Sequence, residues 1–161
     1  MNGNAQWLPP LVLLAEYDGE WDRFLEAVYE FFRQDFLTSR AQWNGAPVGV
    51  KRNPVEKGKE AGFWHLISEG RTEKERIPDI RRCERIRWPR PVIEERDLGR
   101  VKCWRNRRGH EGRIVIALGD FSYVVVLAPR RGYILLWTAY CVENEHRRAK
   151  LRKEYEAAQK C

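Results

Sequence analysis

SYVVVLAPRRGYILLWTAY, residues 122–140, carries two β-rich runs on either side of Pro129-Arg130-Arg131-Gly132. Val124, Val125, Val126, Ile134, Leu135 and Leu136 supply the apolar side chains of a buried hairpin. The second run ends in Trp137-Thr138-Ala139-Tyr140. Thr138 and Tyr140 are polar and two apart, so on a strand they share one face. Upstream, 101–105 and 113–118 also read as strands, and short links rich in Gly, Asn, Asp and Pro join the four runs. Such links suit an antiparallel meander. Downstream, residues 142–160 read as a charged helix with sparse apolar positions, which docks weakly or projects.

The first half has a different period. Trp21, Phe24, Leu25, Val28, Phe31, Phe32 and Phe36 follow helical spacing and predict a helix over 19–37, with Asp18 as its cap. Residues 48–52 are a short strand candidate, and Phe63-Trp64-His65-Leu66-Ile67 fits helix or strand. Pro78-Asp79 opens a short helix over 80–86 that carries Arg81, Arg82 and Arg85. Trp88-Pro89-Arg90-Pro91 is expected to stop it. The expectation is one α+β domain: N-terminal helices, a four-stranded antiparallel sheet and a C-terminal helix, with the core over about 18–140.

A chain of 161 residues that is 43% hydrophobic, with seven Trp, can bury a sizeable core. No apolar run approaches the ~20 residues of a membrane span. The start lacks the basic and apolar regions of a secretory signal, so a soluble cytoplasmic protein without a membrane partner is expected. Cys83, Cys103, Cys141 and Cys161 form no CxxC pair and no Cys/His metal spacing. They read as reduced thiols, with no metal or other cofactor implied. The net charge is +7, and residues 71–113 hold fifteen Lys/Arg against eight Asp/Glu, which is the entire excess. A basic, arginine-rich segment attracts polyanions and grips phosphate in a bidentate fork. A solvated face neutralised by nearby carboxylates would also carry such charge.

Three histidines occur. His65 lies among apolar residues at the edge of the core, where an imidazole can exchange protons near neutral pH; a structural role fits the same surroundings. His110 reads as a loop residue and His146 as helix surface. HxxxH, GxxxxGK[ST], GxGxxG and GxSxG are all absent, which disfavours nucleotide hydrolases, dinucleotide oxidoreductases and ordinary serine hydrolases. The remaining set suits metal-independent RNA cleavage, because RNA brings its own nucleophile, the 2′-hydroxyl. His65 would be base or acid, and Glu84 or Tyr140 would assist. Arg81, Arg82 and Arg85 would hold phosphate, and the Thr138 hydroxyl would donate to a phosphate oxygen. Arg131 in the hairpin turn is a further candidate RNA contact, though a turn arginine can also serve solubility alone.

The order of these pieces resembles the barnase–EndoU–colicin–RelE superfamily of ribonucleases, in particular its phage-associated branch. The resemblance rests on Phe63-Trp64-His65-Leu66-Ile67, on Arg81-Arg82-Cys83-Glu84-Arg85-Ile86 and on Leu136-Trp137-Thr138-Ala139-Tyr140, and covers residues 48–140. It implies a toxin- or defence-type endoribonuclease with RNA as substrate, a 2′,3′-cyclic phosphate product and a protein inhibitor or regulatory partner. In such enzymes a helical His or acid, an Arg or Lys and a late-strand Ser, Thr or Tyr surround the scissile phosphate. Two rival readings use the same residues. One is a non-catalytic nucleic-acid-binding protein in which Trp88 and Trp104 stack on bases. The other is an adaptor that docks through the helix at 142–160.

Overall fold

The computed structural model describes residues 6–70 and 76–161; residues 1–5, and 71–75 at the start of the basic segment, lie outside the described residues. Phe24, Val28, Phe32 and Phe36 recur every fourth position and are all buried, and this stripe makes α1, Trp21–Phe36. Its N-cap is Glu20 and not Asp18; Asp18 takes a left-handed conformation one turn earlier and pairs with Arg23 at 3.1 Å. Short strands follow: β1 (Gln42–Trp43), β2 (Ala46–Gly49), β3 (Val55–Glu56) and β4 (Lys59–Glu60). The ambiguous Phe63–Ile67 run is helical, within α2 (Ala61–Ile67). After β5 (Ser68–Glu69) and β6 (Ile77–Pro78) comes α3, Ile80–Glu84, whose cap Asp79 accepts from the Arg81 amide at 2.9 Å. The Trp88–Pro91 segment starts a helix as well as ending one. Pro89 occupies the first position of α4 (Pro89–Glu94), where its missing N–H costs nothing.

The four predicted strands are present and longer than their apolar runs: β7 (Val101–Arg108), β8 (Glu111–Leu118), β9 (Tyr123–Arg130) and β10 (Tyr133–Cys141). They pair antiparallel in sequence order, and Arg131-Gly132 makes the β9–β10 turn, with Gly132 at φ +75°. The sheet has six strands, however, in the order β1-β2-β10-β9-β8-β7. β2 adds to β10 in parallel, pairing Val48 with Ile134 and Gly49 with Leu135. β2 overlaps the 48–52 strand candidate only at Val48 and Gly49; a four-residue strand containing Pro47 and Gly49 is too short to show a period of two, so its bounds and its partner are not readable from local sequence. The Arg105 guanidinium lies 5.7 Å from the Trp43 ring, so the outer strands curl toward each other.

Each face of the sheet has its own core. On one, Ile114, Ile116, Tyr123, Val125, Leu127 and Leu136 pack against the phenylalanines of α1 and against α2 to α4. On the other, Trp104, Val115, Ala117, Phe121 and Val124 pack against Leu151 and Tyr155 of α5, Glu145–Ala157. α5 therefore docks on the sheet and does not project. Its low apolar content is offset by polar anchors. The Trp104 indole donates to Glu154 at 2.8 Å, Arg148 donates to the Val142 carbonyl at 2.7 Å, and the Arg105 amide donates to the Gln159 carbonyl at 2.9 Å.

The cysteines correct a second expectation. Cys103 and Cys161 form a disulfide across 58 positions of sequence, while Cys83 is a buried free thiol and Cys141 a half-buried one. Spacing along the chain gave no sign of it, because the pairing depends on α5 returning the chain to β7. Replacing Cys161 by Ser is expected to lower stability by about 2–4 kcal/mol, from the loop-closure entropy of the unfolded chain. A urea midpoint unchanged from the oxidised parent would overturn that.

Candidate functional site

A β-bulge shapes the second half of β10. Leu136 pairs with Leu127, yet Thr138 pairs with Val126, so Trp137 is the extra residue. Beyond it, Thr138 and Tyr140 stand opposite Val126 and Val124, which belong to the α5 side of the sheet. β2 has ended by this point, and the free edge of β10 meets α2 and α3.

Three adjoining cavities line this stretch. The largest, about 490 Å³, lies between α3, β10 and the start of α5; Glu69, Asp79, Arg81, Arg82, Thr138, Tyr140, Glu143 and Arg147 line it. A second, about 330 Å³, runs between β10 and α5 and shares Thr138 and Tyr140 with the first, adding Arg108, Arg113, Trp137 and Glu154. A third, about 60 Å³, shares Trp137 with the second and is bounded by Lys51, His65 and Arg76. Together they present seven cations and four carboxylates along one strand.

Arg82 is the central group. Its side chain is only 14% exposed, and its Nη1 donates to the Ser68 carbonyl at 2.7 Å and to Thr138 Oγ1 at 3.4 Å. The guanidinium lies 5.9 Å from the centre of the Tyr140 ring, and its Nε sits 3.9 Å from an Asp79 carboxylate oxygen with no hydrogen bond of its own. α3 is thus tied to β5 and β10 through one planar cation. Arg81 closes the cleft by pairing with Glu143, whereas Arg108 and Arg147 have no carboxylate partner among the described residues. On the far side, the Arg113 guanidinium lies 4.7 Å from the Trp137 ring and pairs with Glu111. Burial pushes the Tyr140 phenol up from its ordinary pKa.

His65 lies beside this constellation and not inside it. Its ring stacks at an angle on Trp137, 5.2 Å between centres. Burial first, then Arg76, Arg82 and Lys51, lowers its pKa to about 4, so in the free protein it is a neutral imidazole near pH 7. Gly62 places it. The Gly62 amide donates to the Lys51 carbonyl at 2.6 Å, and a Cβ there would come within 2.8 Å of that oxygen. Only glycine lets α2 start so close to Lys51, which brings Lys51 and His65 to one cavity.

The structure brings Arg81, Arg82, Thr138 and Tyr140 together, places His65 in an adjoining cavity, and leaves the other three expected site residues out. Glu84 pairs with Arg85 at 3.7 Å and does not line the cleft. Arg85 packs 5.1 Å from the Trp88 ring and donates to the Arg81 carbonyl. Arg131 sits exposed at the hairpin tip, at the opposite end of β10 from Thr138. The five-residue helix turns only one side to β10, so its arginines separate: Arg82 inward, Arg81 at the rim, Arg85 away. The stacking candidates are also spent. Trp104 is fully buried, and Trp88 donates to the Pro9 carbonyl and packs edge-on against Tyr123. Reading the sequence missed Asp79 beyond its capping role, and Arg108, Arg113 and Arg147 altogether; the short Val142–Asn144 link after TAY was the one signal that α5 starts at the site.

Among the described residues no group of three or more His, Cys, Asp or Glu is placed to hold a metal ion, and no helix is long and apolar enough to cross a membrane. Comparison with protein-family models, with curated proteins and with solved structures finds no match.

Proposed function

We propose that the protein is a metal-independent endoribonuclease of toxin or defence type, cutting RNA by attack of its 2′-hydroxyl. One observation carries the reading: three adjoining cavities along β10 set seven cations against four carboxylates, and we read them as one basic groove, with Arg82, Thr138 and Tyr140 together in the largest cavity and a neutral histidine in the smallest. That shape and charge suit a polyanionic single strand. In the proposed reaction the 2′-oxygen gives its proton to His65 and bonds to phosphorus. The bond from phosphorus to the 5′-oxygen breaks, and the Tyr140 phenol protonates that leaving oxygen. Arg82 and Thr138 hold the non-bridging oxygens as charge grows on them. At neutral pH the imidazole is unprotonated and the phenol protonated, the forms these roles require, and burial makes the first a weaker base and the second a weaker acid. A bound phosphodiester would offset the three cations that depress His65 and so raise its basicity when substrate is present.

The test is cleavage by purified protein in EDTA, with product ends identified. His65→Ala is expected to lower kcat/KM by about 10²-fold, the smaller end of what one general base contributes. The acid limb of kcat/KM is expected near the free-protein value of about 4, and that of kcat at higher pH. Wild-type activity in His65→Ala, or ends other than a 2′,3′-cyclic phosphate and a 5′-hydroxyl, would sink the mechanism. The second reading, a nucleic-acid-binding protein without turnover, draws on the depressed basicity of His65 and its place outside the central cleft. Salt-dependent binding of intact RNA would favour it.

A further inference from the structure

A fourth pocket, about 210 Å³, opens beside α2, next to the cavity of His65. It shares Ala61 and Arg76 with the cavity that holds His65. Trp64 forms one wall, Pro54 and Pro78 flank it, and Glu56 and Arg76 supply polar edges. The Trp64 ring is fixed before any ligand arrives. Its indole donates to the Glu56 carbonyl at 2.9 Å, and Phe63 packs edge-on against it at 5.4 Å. A pre-oriented aromatic wall binds a flat ring at little ordering cost. The volume is below the ~300–1,000 Å³ of sites for drug-sized ligands and suits a single heterocycle. Its position also restricts the ligand: Ala61 and Arg76 line both this pocket and the cavity of His65, so a ring in one would lie next to a sugar held at the other.

We propose that the Trp64 pocket is a nucleobase subsite, which takes one unstacked base of the strand lying in the basic groove. The proposal rests on reading that groove as an RNA site. Every base has a π-face, so stacking supplies affinity, while the polar edges from Glu56 and Arg76 discriminate among bases. The proposal gives α2 two tasks from adjacent residues, Trp64 for the base and His65 for the reacting sugar.

The test is a binding measurement that needs no turnover. The probes are mixed-sequence 2′-deoxy hexanucleotides, which lack the attacking hydroxyl, and the same hexamers with abasic sites throughout. Wild type is expected to bind the base-bearing strands about ten- to a hundredfold more tightly, the usual value of one stacked base. Trp64→Ala should erase that preference without changing affinity for the abasic backbone, and Trp64→Phe should keep most of it. Trp64→Leu, which keeps apolar volume against Phe63, serves if the alanine variant fails to fold. A preference undiminished in Trp64→Ala or Trp64→Leu overturns the subsite. Cleavage of RNA alongside such a result would leave the ribonuclease reading standing. A Trp64-dependent preference with no cleavage would do the reverse. Failure of wild type to bind either strand overturns the subsite, and cleavage of RNA then decides the ribonuclease reading by itself.

Discussion

Arg82→Ala is expected to lower RNA cleavage by about 10³-fold in kcat/KM, the effect of removing a pre-organised donor and its charge together. The size follows from where the guanidinium is held. It is nearly buried, and its bond to the Ser68 carbonyl fixes one edge against α3 and β5. The rest faces Thr138 and the Tyr140 ring, where the developing phosphorane would lie. A donor fixed in advance stabilises charge without reorganising at the moment of reaction. Arg82→Lys is expected to recover little, because an ammonium cannot hold Ser68 and present a second donor pair in one plane. Arg85→Ala provides the contrast. Its side chain packs on Trp88 outside the cleft, so cleavage should stay within a few-fold of wild type. Single-turnover assays on the three variants, with thermal melts to confirm folding, separate the predictions. Equal losses in Arg82→Ala and Arg85→Ala would show that the helix as a whole, and not one arginine, matters.

The contrast between these arginines marks what the sequence could and could not convey. Runs of β-branched and aliphatic residues located β7 to β10, of which β8 and β9 are buried on both faces, and the turn residues fixed their antiparallel order; along each strand the side chains alternate between the two faces. The same alternation put Thr138 and Tyr140 on one face, and the structure keeps them there. The bulge at Trp137 is invisible to a period-of-two argument, and it brings Trp137 to the groove as well as to His65. Arg81, Arg82 and Arg85 look alike along the chain; only the docking of α3 on the edge of β10 assigns them different surroundings. The parallel β2–β10 pairing, the disulfide and the contributions of Arg108 and Arg113 are all long-range. Local spacing carries no information about them.

Trp104 tests the part of the fold that was read least well. Its side chain has no exposed surface, packs within 6.1 Å of Phe121 and 5.6 Å of Tyr155 between ring centres, and anchors Glu154 of α5. Trp104→Ala is expected to cost about 3–5 kcal/mol, the range for emptying a buried aromatic site. That is a large share of the ~5–15 kcal/mol that holds a domain of ordinary stability together. Urea denaturation followed by far-UV circular dichroism would measure it, and a loss below 1 kcal/mol would mean that α5 does not cover this face. Trp104→Phe keeps one aromatic ring and removes the donor to Glu154 and part of the buried volume, so it should cost clearly less. The same contacts decide between an adaptor helix and a structural one. Leu151 and Glu154 line the groove beside Tyr140, and Arg147 lines the cleft beyond it. Removing residues 145–161 should therefore abolish both stability and RNA cleavage, whereas an adaptor helix would come away and leave cleavage intact.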